Sequence, residues 1–98
     1  MKRRPSEVLQ SNRELIRTIA MLHRTENVRV FGSVARGEDT ETSDLDLLVD
    51  PLPGATLLDL GAIQIELEDS LGISVHVVTA GDLPSKFRDE VLEEAVPV

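Results

Sequence analysis

At 98 residues, with 41% apolar residues and a formal net charge of −8, the chain has the size of one small domain, over residues 1–98. It contains no cysteine, which excludes a disulfide framework and any thiolate metal site and suits a reducing compartment, so a cytoplasmic location is expected. No apolar run approaches the length of a membrane span, and no apolar stretch follows the basic start as in a secretion signal.

Charge is distributed unevenly along the chain. Residues 1–36 hold eight Lys or Arg against three acids, whereas residues 37–98 hold two against fifteen. This separation argues against direct nucleic-acid binding, which needs a continuous basic footprint. It fits a basic face near a nucleotide and an acidic remainder able to meet a basic protein partner, although the acids could equally serve only to solvate the surface.

The first half of the chain predicts a helix followed by two strands. Residues 6–24 form an amphipathic pattern with Ser6 as a candidate N-cap, and its apolar positions are Val8, Leu9, Leu15, Ile16, Ile19 and Leu22. His23, at the end of this helix, is expected only to interact with the helix dipole. A strand over 28–31, a short helix from residue 33 or 34 to Gly37, a polar loop and a strand over 44–50 follow.

The second half predicts two further helices around a third strand. Pro51, Pro53 and Gly54 break the chain, because such residues do not continue a sheet ladder. A long helix then runs from residue 56 or 57 to Leu71 and ends at Gly72. A strand over 73–78 and a helical tail over 83–95 complete an α-β-α-β-α-β-α order, which predicts a small α/β sheet of few strands.

Two carboxylates at the start of the second strand are the main chemical signal. Side chains at i and i+2 of a strand share a face, so Asp44 and Asp46 stand about 6.5 Å apart along the backbone. This pairing suits Mg²⁺, which typically takes one or two protein carboxylates together with substrate phosphates. The alternative is a solvated strand edge with two unrelated acids. Asp50 has the same parity, but it lies beside Pro51 and is expected to face solvent.

Just before the first turn of the short helix, a glycine follows a strand. There the bare backbone of Gly32 and the hydroxyl of Ser33 could approach a phosphate, although Gly32 could serve only a turn and Ser33 only an N-cap. Arg36 lies three residues past Ser33 on the same helical face and could also reach phosphate, or could be an ordinary surface arginine.

These motifs together resemble a known family. Gly-Ser at 32–33, Ala-Arg-Gly at 35–37 and Ser-Asp-x-Asp at 43–46, followed by an apolar strand, are similar to the signature of the DNA polymerase β-like nucleotidyltransferases. The short chain, the N-terminal helix and the ending over 83–97 resemble specifically the minimal nucleotidyltransferase (MNT) proteins of the antitoxin type. The resemblance covers nearly the whole chain and implies the nucleotidyltransferase fold, a mixed sheet of about three to four strands flanked by helices.

The resemblance also implies a set of site residues. It gives Asp44 and Asp46 the role of catalytic metal ligands for two Mg²⁺ ions. It gives phosphate binding to Gly32 and Ser33, with ATP as substrate, and Arg36 and Ser43 are further candidates for nucleotide binding.

The third carboxylate of the family pattern is not present, and the aligned position is His76. Three interpretations remain open. His76 could replace the acid as general base, because imidazole ordinarily titrates near neutral pH. It could mark a weakened or inactive site that still binds nucleotide. It could be an incidental strand histidine, with Ser74 or nothing completing the site.

The family resemblance implies a partner as well as a reaction. MNT proteins are typically paired with an RNase toxin of the all-helical HEPN class, and some transfer AMP from ATP to a tyrosine of that toxin. The expected function is therefore an ATP- and Mg²⁺-dependent antitoxin that adenylylates its HEPN toxin. The alternative is a catalytically weakened antitoxin that neutralises the toxin by binding alone.

Overall fold

The computed structural model describes residues 3–98, which form a four-stranded mixed sheet with five α-helices. The strands are β1 (Thr25–Phe31), β2 (Leu45–Pro51), β3 (Val75–Val78) and β4 (Val96–Pro97). The helices are α1 (Pro5–Ser11), α2 (Arg13–Leu22), α3 (Gly32–Arg36), α4 (Leu57–Leu71) and α5 (Ser85–Glu94), with one 3₁₀ turn at Ala80–Asp82. The predicted small mixed α/β sheet is confirmed.

The sheet has the strand order β3-β2-β1-β4. β1 pairs antiparallel with both β2 and β4, whereas β2 pairs parallel with β3. A parallel pair needs a crossover connection, and α4 provides it. β2 therefore lies between β3 and β1. Asp44 comes immediately before β2, and Asp46 is its second residue.

The long helix α4 agrees with the prediction at both ends. Thr56 is its N-cap and accepts a hydrogen bond from the Leu58 N–H, and Asp59 completes a capping box. Gly72 ends the helix with a left-handed φ of 70°, which glycine adopts without strain. Ile63 and Leu67 are fully buried in the core against the sheet.

β2 is buried on both of its faces. Leu45, Leu47 and Val49 point into the core that α2 and α4 share. Leu48, which has the parity of Asp46, is also fully buried although it lies outside that cluster. Asp44 and Asp46 therefore lie on the sheet face opposite the main core, at the end of the sheet where β2 begins.

The single helix predicted over 6–24 is wrong, because the chain forms two helices. The side-chain amide of Asn12 donates to the Val8 carbonyl oxygen, 2.8 Å away, and the Asn12 backbone leaves helical geometry. Asparagine side chains compete for backbone hydrogen bonds in this way. Ser6 is not the N-cap either, since Arg4 occupies that position and Pro5 takes the first helical position, which proline favours.

The predicted apolar stripe of this region is confirmed in part. Val8, Leu9, Ile16 and Ile19 are buried. Leu15 and Leu22 are exposed, because Leu22 is the last residue of α2 and Leu15 lies beside the buried stripe rather than in it.

Three strand boundaries differ from the predictions. β1 begins at Thr25 rather than at residue 28, because the buried Thr25 hydroxyl donates to the Ala20 carbonyl oxygen and fixes the turn after α2. β2 begins and ends one residue later than expected, and β3 begins at Val75 rather than residue 73.

The C-terminal tail also differs, since its helix is confined to Ser85–Glu94 and the chain then forms β4. Val96 pairs with Val30 of β1, and the Val98 N–H donates to the Val28 carbonyl oxygen. Within residues 3–98, no helix combines the length and apolarity that a membrane crossing requires.

Candidate active site

Gly32 and Asp46 meet at the turn between β1 and α3. A Cβ atom on Gly32 would lie only 2.5 Å from Asp46 Oδ2, and Gly32 has a left-handed φ of 74°. The left-handed conformation favours glycine at this position, and a Cβ atom there would force the Asp46 carboxylate to move. The two motifs that sequence places fourteen residues apart are in direct contact in the fold.

The side chain of His76 lies beside both aspartates. His76 pairs with Asp46 in the parallel register of β3 and β2. Its Nδ1 is 3.5 Å from Asp46 Oδ1, and its Nε2 is 3.9 Å from Asp44 Oδ2. The imidazole is 57% exposed, so a reacting group could approach it from solvent. The structure thus brings Asp44, Asp46 and His76 together on one face.

The environment of Asp46 disfavours its charged form. Burial raises the pKa of Asp46, and the neighbouring carboxylates of Asp44 and Glu94 raise it further, while His76 and Arg36 oppose the shift. A cation bound beside Asp46 would offset the free-energy cost of burying its charge and would reduce the repulsion between the neighbouring carboxylates.

The donor set fits Mg²⁺ rather than a metal held by protein ligands alone. Across residues 3–98, no three histidine, aspartate or glutamate side chains are grouped closely enough to hold an ion by themselves. Two carboxylates would need further oxygens, and Mg²⁺ commonly takes these from substrate phosphates and water. Asp44 and Asp46 are therefore suitable ligands for a metal that arrives with a nucleotide.

The predicted phosphate-binding groups lie around the same turn. Ser33 is inside α3, whose N-cap is Phe31, so the alternative of Ser33 as an N-cap does not hold. Arg36 is in the last turn of α3, and its guanidinium donates to Glu38 Oε1 at 2.7 Å and to Glu94 Oε1 at 2.6 Å. Gly37 ends α3, as predicted.

Glu94 at the end of α5 is a site residue that the sequence did not indicate. Its Oε2 accepts a hydrogen bond of 2.8 Å from the Gly32 N–H. Burial would raise the pKa of Glu94, but the hydrogen bonds from Arg36 and from the Gly32 N–H outweigh it and hold the pKa below its usual value. Both partners are about 60 residues away in sequence, so no local pattern could reveal the contact.

Two hydrogen bonds order the loop between α3 and β2, one to α1 and one within the loop. The Asp39 side chain is buried, and its Oδ2 accepts a hydrogen bond of 2.9 Å from the Ser6 N–H in the first turn of α1. Ser43 closes a turn, since its Oγ accepts a hydrogen bond of 2.9 Å from the Thr40 N–H. Ser43 and Ser74 also line a cavity of about 570 Å³.

The remaining predicted residues lie away from the site. Asp50 does not simply face solvent, because it accepts hydrogen bonds from Arg29 and Asn27. His23 follows α2 as its C-cap, and its Nε2 lies 3.0 Å from Glu66 Oε1.

The sequence and the fold are similar to those of known proteins. The family model for the nucleotidyltransferase domain matches residues 12–98. A protein of Methanocaldococcus jannaschii, assigned as protein adenylyltransferase MJ0435, is 42% identical over 80 residues, which cover 82% of this chain and 86% of that protein. Protein adenylyltransferase MntA of Thermococcus cleftensis is 41% identical over 71 residues, 72% of each chain.

Two solved structures share the fold. One, assigned as a minimal nucleotidyltransferase, superposes with a TM-score of 0.84 at 45% identity and covers 95% of both chains. The other is a toxin-antitoxin crystal structure with AMP-PNP, with a TM-score of 0.75 over 88% of this chain and 71% of that one. At 17% identity the second likeness speaks to the fold alone.

Proposed function

The chain belongs to the nucleotidyltransferase domain family, and we propose that it is an ATP- and Mg²⁺-dependent protein adenylyltransferase that acts as the antitoxin of a HEPN-type toxin. The observation that carries the proposal is the contact of Gly32 with Asp46. This close approach brings the glycine turn and the carboxylate pair into one site, next to an accessible imidazole.

The reaction is the transfer of AMP to a hydroxyl of the partner, with a tyrosine as the expected acceptor. A bond forms between the acceptor oxygen and the α-phosphorus, the bond from that phosphorus to the β-phosphate bridging oxygen breaks, and pyrophosphate leaves. Mg²⁺, when bound, supplies charge neutralisation at the attacking and leaving oxygens.

The residues of this chain divide that work. Asp44 and Asp46 hold the metal and so fix the position of the triphosphate. The Gly32 N–H, the Ser33 hydroxyl and the Arg36 guanidinium bind phosphate oxygens, and Ser43 shapes the loop that leads to Asp44.

His76 accepts the proton of the acceptor hydroxyl. Its exposure and its position beside both aspartates support this role.

Three observations support a protein partner. The relatives assigned as protein adenylyltransferases act, by name, on proteins, and a toxin-antitoxin structure shares the fold. In addition, α4 leaves Leu58 85% and Ile65 63% exposed. These residues are seven apart and so lie on one helix face, and exposed apolar side chains of this kind are frequent in protein interfaces.

The test is the intact mass of the helical toxin encoded beside this gene, after incubation with this chain, ATP and Mg²⁺. The toxin mass should increase by whole AMP units, and chelation of the metal should abolish the increase. Asp46→Asn should slow transfer at least about 100-fold, because a lost metal ligand costs several kcal/mol of transition-state stabilisation.

Asp50→Asn is the matched control. Asp50 is on the same strand with the same parity, but it is paired with Arg29 away from the site, so its loss should leave transfer unchanged. A tight complex with no gain in mass would contradict the enzymatic proposal and favour the alternative, an antitoxin that works by binding alone.

A further inference from the structure

The carboxylate of Glu94 uses both of its oxygens at the proposed phosphate site. Oε2 accepts from the Gly32 N–H at 2.8 Å and Oε1 accepts from Arg36 Nη1 at 2.6 Å. Its side chain is only 23% exposed. Among the described acidic side chains of α5, it is the one that reaches this turn.

These two donors are the groups that the proposed function gives to the triphosphate. A carboxylate and a phosphate are both anions with several acceptor oxygens, and each can bind a backbone N–H and a guanidinium together. Gly32 and Arg36 cannot keep Glu94 and serve a phosphate oxygen along the same directions at the same time. Glu94 and the nucleotide therefore compete.

The backbone around Glu94 is well anchored, so the competition concerns the side chain. Glu94 is the last residue of α5, and Val96, two residues later, pairs with Val30 of β1. Rotation of the Glu94 side chain would free Gly32 and Arg36 while α5 and β4 stay in place. Arg36 would keep its second partner, Glu38.

Glu94 also places negative charge near the metal ligands. It is one of the groups whose charge acts on Asp46. Its departure from Gly32 would lower the repulsion around Asp46 at the moment when the phosphates arrive.

We propose that the Glu94 carboxylate is an internal competitor of the nucleotide, which holds the Gly32 N–H and Arg36 until the triphosphate displaces it. The proposal rests on the proposed function, because it takes these two groups as phosphate ligands. Competition with Glu94 raises the nucleotide concentration that is needed to fill the site.

The experiment is calorimetric titration of α,β-methylene-ATP with Mg²⁺ into the wild type, Glu94→Gln, Glu94→Ala and the control Glu93→Gln. Glu93 is exposed on the same helix. Both Glu94 variants should bind the nucleotide about threefold to tenfold more tightly, because one partly exposed, charge-assisted competitor has been removed. Glu93→Gln should bind as the wild type does. Thermal unfolding of each variant checks that it is folded. Glu94→Gln preserves side-chain size, so its nucleotide affinity is the deciding result if Glu94→Ala loosens α5.

The outcomes separate this proposal from the function on which it rests. Nucleotide binding by the wild type with equal or weaker binding by Glu94→Gln would overturn the competition and leave the proposed function standing. Binding by Glu94→Gln but not by the wild type would support competition in its strongest form. Absence of binding in the wild type and in every variant would overturn the proposed function, and the competition with it.

Discussion

Replacement of Gly32 by alanine tests the central contact of the site. The substitution has two separable effects. It places a side chain on a residue with φ 74°, and it puts a Cβ atom 2.5 Å from Asp46 Oδ2. The first effect acts on stability, and the second acts on the position of the Asp46 carboxylate.

The stability loss follows from the backbone. A left-handed conformation costs an ordinary residue about 1–2 kcal/mol, and the reduced entropy of the unfolded chain returns about 0.4–1 kcal/mol. We therefore expect a net loss of about 1 kcal/mol, which corresponds to a fall in Tm of roughly 4–8 °C for a domain of this size. The clash adds little, because Asp46 Oδ2 is the end of a side chain that can rotate away.

Gly37→Ala is the matched control, since Gly37 has nearly the same φ, 72°, and no atom lies within 4 Å of a Cβ built there. Thermal unfolding should show similar losses for the two variants. AMP transfer and Mg²⁺-dependent nucleotide binding should fall at least about 100-fold only in Gly32→Ala, because only there must Asp46, the proposed metal ligand, move. Equal activity in the two variants would refute the reasoning, as would a Gly32→Ala stability loss several times that of Gly37→Ala.

Two further predictions concern Asp39 and His76. Asp39→Ala should lower stability by about 1 kcal/mol, because Asp39 accepts from the first-turn N–H of Ser6 as a helix cap does. Hydrogen bonds from Ser6 hold the pKa of Asp39 below its usual value against the effect of burial, so its contribution is complete above the unfolded-state pKa of about 3.9 and is lost as pH falls through the folded-state pKa. The free energy of unfolding measured in urea should thus fall more steeply from pH 5 to pH 3 for the wild type than for Asp39→Ala, and parallel curves would contradict this. For His76, substitution by asparagine should slow AMP transfer about 100-fold, the usual lower range for a lost general base. His76→Asp should retain transfer and move the acid limb of its pH profile to lower pH, whereas faster transfer at every pH would indicate that His76 marks a weakened site.

The elements predicted well are those whose ends are set by nearby residues. Helix α4 begins at a capping box of Thr56 and Asp59 and ends at Gly72, and all three signals are local. The parity of Asp44 and Asp46 predicted that they share a face. The family resemblance, rather than any local pattern, implied that the glycine turn, these aspartates and His76 belong to one site.

The elements predicted poorly depend on partners far along the chain. Two-residue β4 exists because it pairs with β1, whose residues precede it by more than sixty positions. The contacts of Glu94 with Gly32 and of Asp39 with Ser6 likewise join distant segments. The break at Asn12 is local, but an amphipathic pattern that continues across it conceals a side chain that takes a backbone acceptor.

Helix α1 has a consequence for how the site is prepared. The family match begins at residue 12, so α1 lies outside it, yet the Ser6 N–H of α1 anchors Asp39 in the loop that leads to Asp44. A loop that is ordered before the ligand arrives loses less conformational entropy on binding. Substitutions in α1 should therefore change nucleotide affinity through the order of this loop, without any change in the residues proposed to touch the ligand.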